Sequence, residues 1–210
     1  MITCKCPAEA KLTTIPAVTC TESFGQIQKI AFQRLTSSGS KNSFVTASPI
    51  TALASWSALL TANDSTKVVV SPFVQAPTNE AGAARTFGGG NETLNGIEEI
   101  IGREPSTFSA VLRRIPQSTI KIRKELQCDS YADNLGVYLF DEAGNIEALA
   151  DPNTSGTYYP IPIRSLFIGD KSHGGLESPD SNTISWSFLP NYSDDLAIVT
   201  PTDFNPLTDL

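Results

Sequence analysis

Leu135-Gly136-Val137-Tyr138-Leu139-Phe140-Asp141-Glu142-Ala143-Gly144-Asn145-Ile146-Glu147-Ala148-Leu149 reads as two strands folded on a tight turn. The first arm is an almost unbroken apolar run. It stops at Asp141-Glu142-Ala143-Gly144, residues suited to turn chemistry, and the chain returns through Asn145 to Leu149. Adjacent acids in a turn are ordinary there, so Asp141 and Glu142 call for no catalytic explanation.

Downstream, Tyr158 to Gly169 and Thr183 to Leu189 read as strands, the second alternating Ile184, Trp186 and Phe188. A glycine-rich loop, Gly169 to Asp180, joins them. Asp194 to Val199 is a possible last strand, and Pro201 to Leu210 a C-terminal tail. Upstream, Ser118 to Cys128 reads as a helix with a basic face at Lys121, Arg123 and Lys124, preceded by a strand from Thr107 to Arg114. A second helix is expected to start at Ser48 as cap and Pro49 in its first turn. Ile50, Leu53, Trp56, Leu59 and Leu60 form its apolar stripe, and Asn63-Asp64 end it. Trp56 then reads as a core anchor. Gly25 to Leu35 reads as a strand, Ser37 to Asn42 as a loop, and Lys67 to Val74 as a β-branched strand that Pro72 places at an edge or bulge.

Between these elements lies Gln75 to Gly96, polar, aperiodic and containing Gly88-Gly89-Gly90. A loop of this length inside a domain is unusual and often functional. Flanked by a strand from Ile97 to Ile101, it reads as a long β-hairpin extension. The tally is roughly seven to nine strands and two helices, so the expected class is mainly β (α+β), a sandwich or barrel-like sheet with one or two flanking helices.

The chain has 210 residues, 40% of them hydrophobic, enough for a substantial core. Fourteen prolines and fourteen glycines spread along it fit short elements joined by turns. Neither a signal-peptide pattern nor an apolar stretch of membrane-crossing length is seen. The net charge of -7 is uneven: residues 1–125 carry thirteen Lys and Arg against nine acids, and residues 126–210 carry only Arg164 and Lys171 against thirteen. If folding separated these halves the subunit would have opposite poles; if it interleaved them, the asymmetry would vanish.

The residues argue against catalysis. The single histidine, His173, lies in the glycine-rich loop, and no G-x-S-x-G elbow accompanies it. Gly88-Gly89-Gly90 lacks the spacing and the lysine of a phosphate cradle and reads as a flexible loop. Glu98/Glu99 and Asp194/Asp195 are sequence neighbours, which on a strand point to opposite faces. Arg113, Arg114, Lys121, Arg123 and Lys124 could meet phosphate, yet the chain is acidic overall, and a solvated face or an acidic neighbour fits better. Cys4, Cys6, Cys20 and Cys128 read as unpaired thiols; the alternative, a four-cysteine zinc clip, departs from paired C-x2-C spacing. The expectation is therefore no catalytic, cofactor or metal site.

The order of elements resembles the tail tube proteins of long-tailed phages, particularly the versions found in phages of gut Bacteroidetes. The resembling segments are GQIQKIAFQRL at 25–35, the glycine-bearing hairpin loop at 76–96, the unit at 106–128, LGVYLFDEAGNIEAL at 135–149 and LAIVTPTDFNPL at 196–207. The resemblance implies an arm at 1–24, one β-rich tube-forming domain at 25–200 and a tail at 201–210. It also implies self-association into rings, commonly hexamers, that stack into a DNA conduit, with the 76–96 loop reaching an adjacent ring. Partners would be other copies and other tail proteins, with DNA passing unbound and no membrane involved. The place would be the virion tail, assembled in the bacterial host cytoplasm. Tail components of related fold (terminator, hub or ring proteins) remain an alternative, as does a β-sandwich module binding carbohydrate or a cell surface through Tyr158, Tyr159 and Tyr192.

Overall fold

A computed structural model describes residues 15, 17 and 23–210. Cys4, Cys6 and Cys20, and with them the zinc alternative, lie outside the described residues, while Cys128 is exposed. The first part of the chain forms β1 (Ile27–Arg34), β2 (Thr36–Ser37), β3 (Ser40–Lys41), α1 (Leu53–Thr61), β4 (Val68–Val70) and β5 (Gln75–Glu80). Then come β6 (Ala84–Phe87), β7 (Glu99–Arg103), β8 (Ser106–Arg113) and α2 (Gln117–Tyr131). The remainder is β9 (Leu135–Asp141), β10 (Ile146–Ala150), β11 (Tyr158–Tyr159), β12 (Ile161–Ile168), β13 (Ser181–Phe188), β14 (Leu196–Val199) and α3 (Pro206–Asp209). The protein is mainly β, built on a large antiparallel sheet with few helices. Ala83–Glu104 belong to one compact unit, and Phe24–Gly82 with Pro105–Leu210, the body, to another.

All seven residues of β9 are buried, which explains its apolar run: each face of this strand meets a different core. Leu135, Val137 and Leu139 join Ile30, Phe32, Phe108, Leu112, Ile163 and Trp186 in one core. Tyr138 and Phe140, on the opposite face, join Phe44, Ile50, Trp56, Ile146 and Ala148 in a second. Period-2 alternation delivers both sets from a single strand.

The first core is the interior of a closed ladder. β1 pairs with β9, then β9 with β12, β12 with β13, β13 with β8 and β8 with β5, each antiparallel. Closure comes from the segment Val68 to Glu80. Val68, Val69 and Val70 lie opposite β1; Ser71 N and Val74 N then donate to Ile30 O and Gln28 O. One residue later Gln75 lies opposite Val111 of β8. Successive residues point their backbone groups to opposite edges, so this segment passes from one partner to the other and completes the ring. Pro72, expected at an edge or bulge, stands at the kink between the two pairings.

The second core is covered by α1 and by the C-terminal segment. Trp56 is fully buried, as its place in the stripe implied, and its Nε1 donates to Ile50 O at 2.8 Å. The expected helix start at Ser48-Pro49 is corrected. Ser48 is held in a turn with Val45, and the helix begins at Leu53, whose N–H donates to Asp203 Oδ1. A carboxylate 150 positions away supplies the cap that no local residue provides. Residues 201–210 are likewise not a loose tail. Pro206 is buried, Phe204, Leu207 and Leu210 pack on the second core, and the buried Lys29 donates from Nζ to Leu207 O at 2.6 Å and Leu210 O at 3.1 Å.

Two further expectations change. Ser37 to Asn42 contains the small β2–β3 hairpin, because Ser38 and Gly39 adopt positive φ and form the two-residue turn that such a hairpin needs. The front of the polar stretch, Gln75 to Glu80, is a strand despite its composition, because β8 offers an edge that β13 leaves open. α2 extends the expected helix to Gln117–Tyr131. It docks where Ser165, at φ 56, interrupts the β12 ladder. There Ser130 Oγ accepts from Leu166 N, and Gln127 Nε2 donates to Leu166 O.

Candidate assembly surfaces

The insert at 83–104 is where sequence and structure depart furthest from a soluble surface. Among the described residues β6 and β7 pair only with each other, in a register shifted by one residue between Arg85 and Thr86. The extra residue of that bulge is Ile101, and both it and Ile100 are exposed. Phe87, Leu94 (86% exposed), Ile97, Ile100 (74%) and Ile101 place five large apolar side chains in solvent within this short segment. The three glycines do not form a featureless linker. Gly88 has φ 87, and a Cβ there would lie 2.1 Å from Thr93 Cγ2, so only glycine fits. Thr93 Oγ1 accepts from Gly89 N and donates to Ile97 O, which organises the turn.

The body does not keep the charge asymmetry of the sequence halves. The halves interleave, since β1 lies against β9 and β8 against β13. Arg34–Asp129 (3.0 Å) and Lys124–Asp170 (2.6 Å) are ion pairs across the division. Arg164–Asp133 (3.1 Å) is a further surface pair. Lys41 lies 5.2 Å from the centre of the Tyr159 ring, where its charge adds to the hydrogen bonds from Asn153 N and Tyr159 that hold the Asp151 carboxyl low, so cations and acids are mixed over the body.

Asp141 is buried in its turn and accepts from Gly25 N, Ala143 N, Asn145 N and Asn145 Nδ2. Glu147 sits opposite Leu139; burial, followed by the nearby Asp141 charge, pushes its carboxyl up to about 7. Glu80 and Glu142 are exposed. Asp194, also exposed, follows Tyr192, whose hydroxyl accepts from Asn79 Nδ2 next to Glu80. Lys67, Arg113, Arg114 and Lys121 are exposed with no ion pair among the described residues. An open cleft of about 670 Å³ carries both signs of charge, Arg114 and Lys171 with Glu177 and Asp180.

The remaining candidates have structural explanations. His173 Nδ1 lies 3.2 Å from Asp180 Oδ1 on the surface, and the neighbouring Ser178 hydroxyl donates to Gly174 O rather than to the imidazole. Among the described residues no group of three or more His, Cys, Asp or Glu is placed to hold a metal, and no helix is long and apolar enough to cross a membrane. The tyrosines expected as a sugar platform are engaged. Tyr192 stacks on Phe188 at 4.4 Å, Tyr158 packs on the second core, and Tyr159 donates to Asp151.

No family model and no curated protein matches the chain. Two solved structures overlap it. One is a chain from the tail of an empty GTA particle with C6 symmetry, at 12% identity over 63% of this chain and 88% of that one, with a TM-score of 0.32. The other is from the six-fold symmetrised baseplate of the anti-feeding prophage, at 9% identity over 90% and 98%, with a TM-score of 0.35. Overlaps of this size leave function to be argued from the chain's own geometry.

Proposed function

We propose that this chain is a non-enzymatic structural subunit of a phage-like tail, forming rings that stack into a tube for DNA passage. The exposed apolar insert is the observation that carries this reading. A two-stranded hairpin is marginally stable alone in water, and clustered exposed apolar residues mark a contact surface. Both outer edges of the β6–β7 pair are unpaired among the described residues, so a neighbouring copy can add to the strand pair and cover Ile100 and Ile101. The body supports the same division of labour. Its barrel ladder closes on itself, while the insert and the outer edge of β14, which among the described residues pairs only with β10, stay open to a neighbour. The order of sequence elements, which resembles tail tube proteins along most of the chain, supplies the specific assembly.

Deleting residues 83–104 tests this. The insert leaves and re-enters the body where Gly82 N donates to Ser106 Oγ at 3.1 Å, so a short Gly-Ser link can replace it. The expected product is a cooperatively melting monomer by sedimentation, while the full chain forms rings or longer assemblies. Full-sized assemblies from the deletion variant would reject the reading.

A further inference from the structure

We propose that residues 201–210 and α1 form a clasp that opens as one unit while the closed ladder stays folded. The inference concerns the single folded chain and holds whether or not copies assemble.

α1 is too short to stand by itself. Its nine residues are fewer than the roughly 12 at which an isolated helix becomes even marginally stable in water. It has no acid in its first turn, no base in its last and no local side-chain cap. The cap comes from Asp203, whose Oδ1 accepts from Leu53 N at 3.1 Å. The residue beside it is tied in as well, Thr202 N donating to Thr51 O at 3.3 Å. Both bonds join the C-terminal segment to the start of the helix, so neither part can leave without stripping a polar group of the other.

The C-terminal segment is shaped from within. Asn205 Oδ1 accepts from Leu207 N, and Asp209 Oδ2 accepts from Asn205 N, a reciprocal pair that organises α3. Phe204, Leu207 and Leu210 pack on the second core, as Leu59 and Leu60 of α1 do. Lys29 of β1 tethers the carbonyls of Leu207 and Leu210, its ammonium 4.8 Å from the centre of the Phe73 ring. Burial holds that ammonium below the usual lysine range, so opening returns it to water and offsets part of the lost packing.

The barrel is built without either part. Among the described residues the first core contains nothing from α1 or from 201–210, and neither contributes a strand to the ladder. The hinge is Thr200, just past β14, whose hydroxyl donates to Asn145 Oδ1. Elements that share contacts with each other and stand apart from the main core open as sub-global units. Opening withdraws Trp56 from the rings of Phe44, Tyr138 and Phe140, and so changes the outer surface of the body without unfolding its barrel.

Residue-resolved hydrogen exchange on the full chain tests this. The amide of Thr202 and those of Ser57 to Thr61 in α1 should share one protection, lower than that of β8 and β13. Asp203→Ala removes the cap, so both sets should exchange faster by a common factor, roughly 2- to 30-fold, the range for a lost helix cap. Ala58→Gly, at an exposed position of α1, should speed Thr202 as much as α1 itself, roughly 5-fold, because coupling acts in both directions. Ser130→Ala loosens the ladder where α2 docks; it should speed β8 and β13 and leave Thr202 and α1 at their wild-type rates. If Ala58→Gly leaves Thr202 unmoved, or Asp203→Ala leaves α1 unmoved, the two parts open independently and the proposal is wrong. It is equally wrong if Thr202 and α1 are as protected as β8 and β13 and Ser130→Ala speeds all of them alike, since only the whole chain then opens.

Discussion

Glu147→Gln should make the protein more stable at neutral and alkaline pH, and the gain should disappear in acid. Glu147 lies on β10 between Leu139 of β9 and Ile198 of β14. Withdrawal from water, with the Asp141 charge adding to it, raises its carboxyl from 4.5 to about 7. Between those values the folded chain holds a proton that the unfolded chain has released. Unfolding therefore releases protons in this window, and stability falls as pH rises through it. A difference of that size corresponds to about 3 kcal/mol between the ends of the window. Glutamine is neutral throughout and keeps a similar shape, so the variant should show none of this loss. Urea unfolding at fixed, low protein concentration, at about pH 5 and about pH 8, should give curves that coincide in acid and separate by up to about 3 kcal/mol in base, at unchanged m. Equal separation at both pH values, or none, would refute the assigned burial of this carboxylate.

Gly136→Ala should destabilise the body by about 1–3 kcal/mol, since overpacking costs that much and a Cβ there would lie 2.7 Å from Leu35 Cδ2 and 2.8 Å from Pro160 Cβ; an unchanged midpoint in urea would contradict the packing of β9. Ser130→Ala leaves the buried Leu166 N–H without its acceptor, and thermal or urea unfolding should report a loss of about 1–3 kcal/mol. Ile100→Lys with Ile101→Lys changes exposed positions, so monomer stability should move by less than about 0.5 kcal/mol. Self-association measured by sedimentation should nevertheless weaken strongly, and unaltered association would show that the insert's apolar side chains make no contact.

The body's strands were legible wherever burial on one or both faces left a periodic trace. Ile184, Trp186 and Phe188 alternate because their strand has one face in the first core, and the run at 135–140 is continuous because β9 lies between two cores. Trp56 was readable as an anchor for the same reason. What failed was set by distant partners. Gln75 to Glu80 has no apolar pattern, and its strand exists because β8 has an edge to fill. The start of α1 depends on Asp203, and the docking of 201–210 on Lys29; neither pairing leaves a local trace. Charge shows the limit most clearly. Counted by halves of the sequence it suggests poles, which folding removes by setting β1 against β9 and β8 against β13. The insert was recognisable as a hairpin extension through its length and glycines. Its apolar exposure was not, because Phe87, Leu94, Ile97, Ile100 and Ile101 look like core residues in the sequence and are exposed in the structure.

Electron cryomicroscopy of the purified full-length chain tests the central claim most directly. Closed rings stacked along a common axis are the expected result, with residues 83–104 resolved against an adjacent copy and Ile100 and Ile101 withdrawn from solvent. A population that stays monomeric at every concentration reached, with those isoleucines still in water, would contradict it.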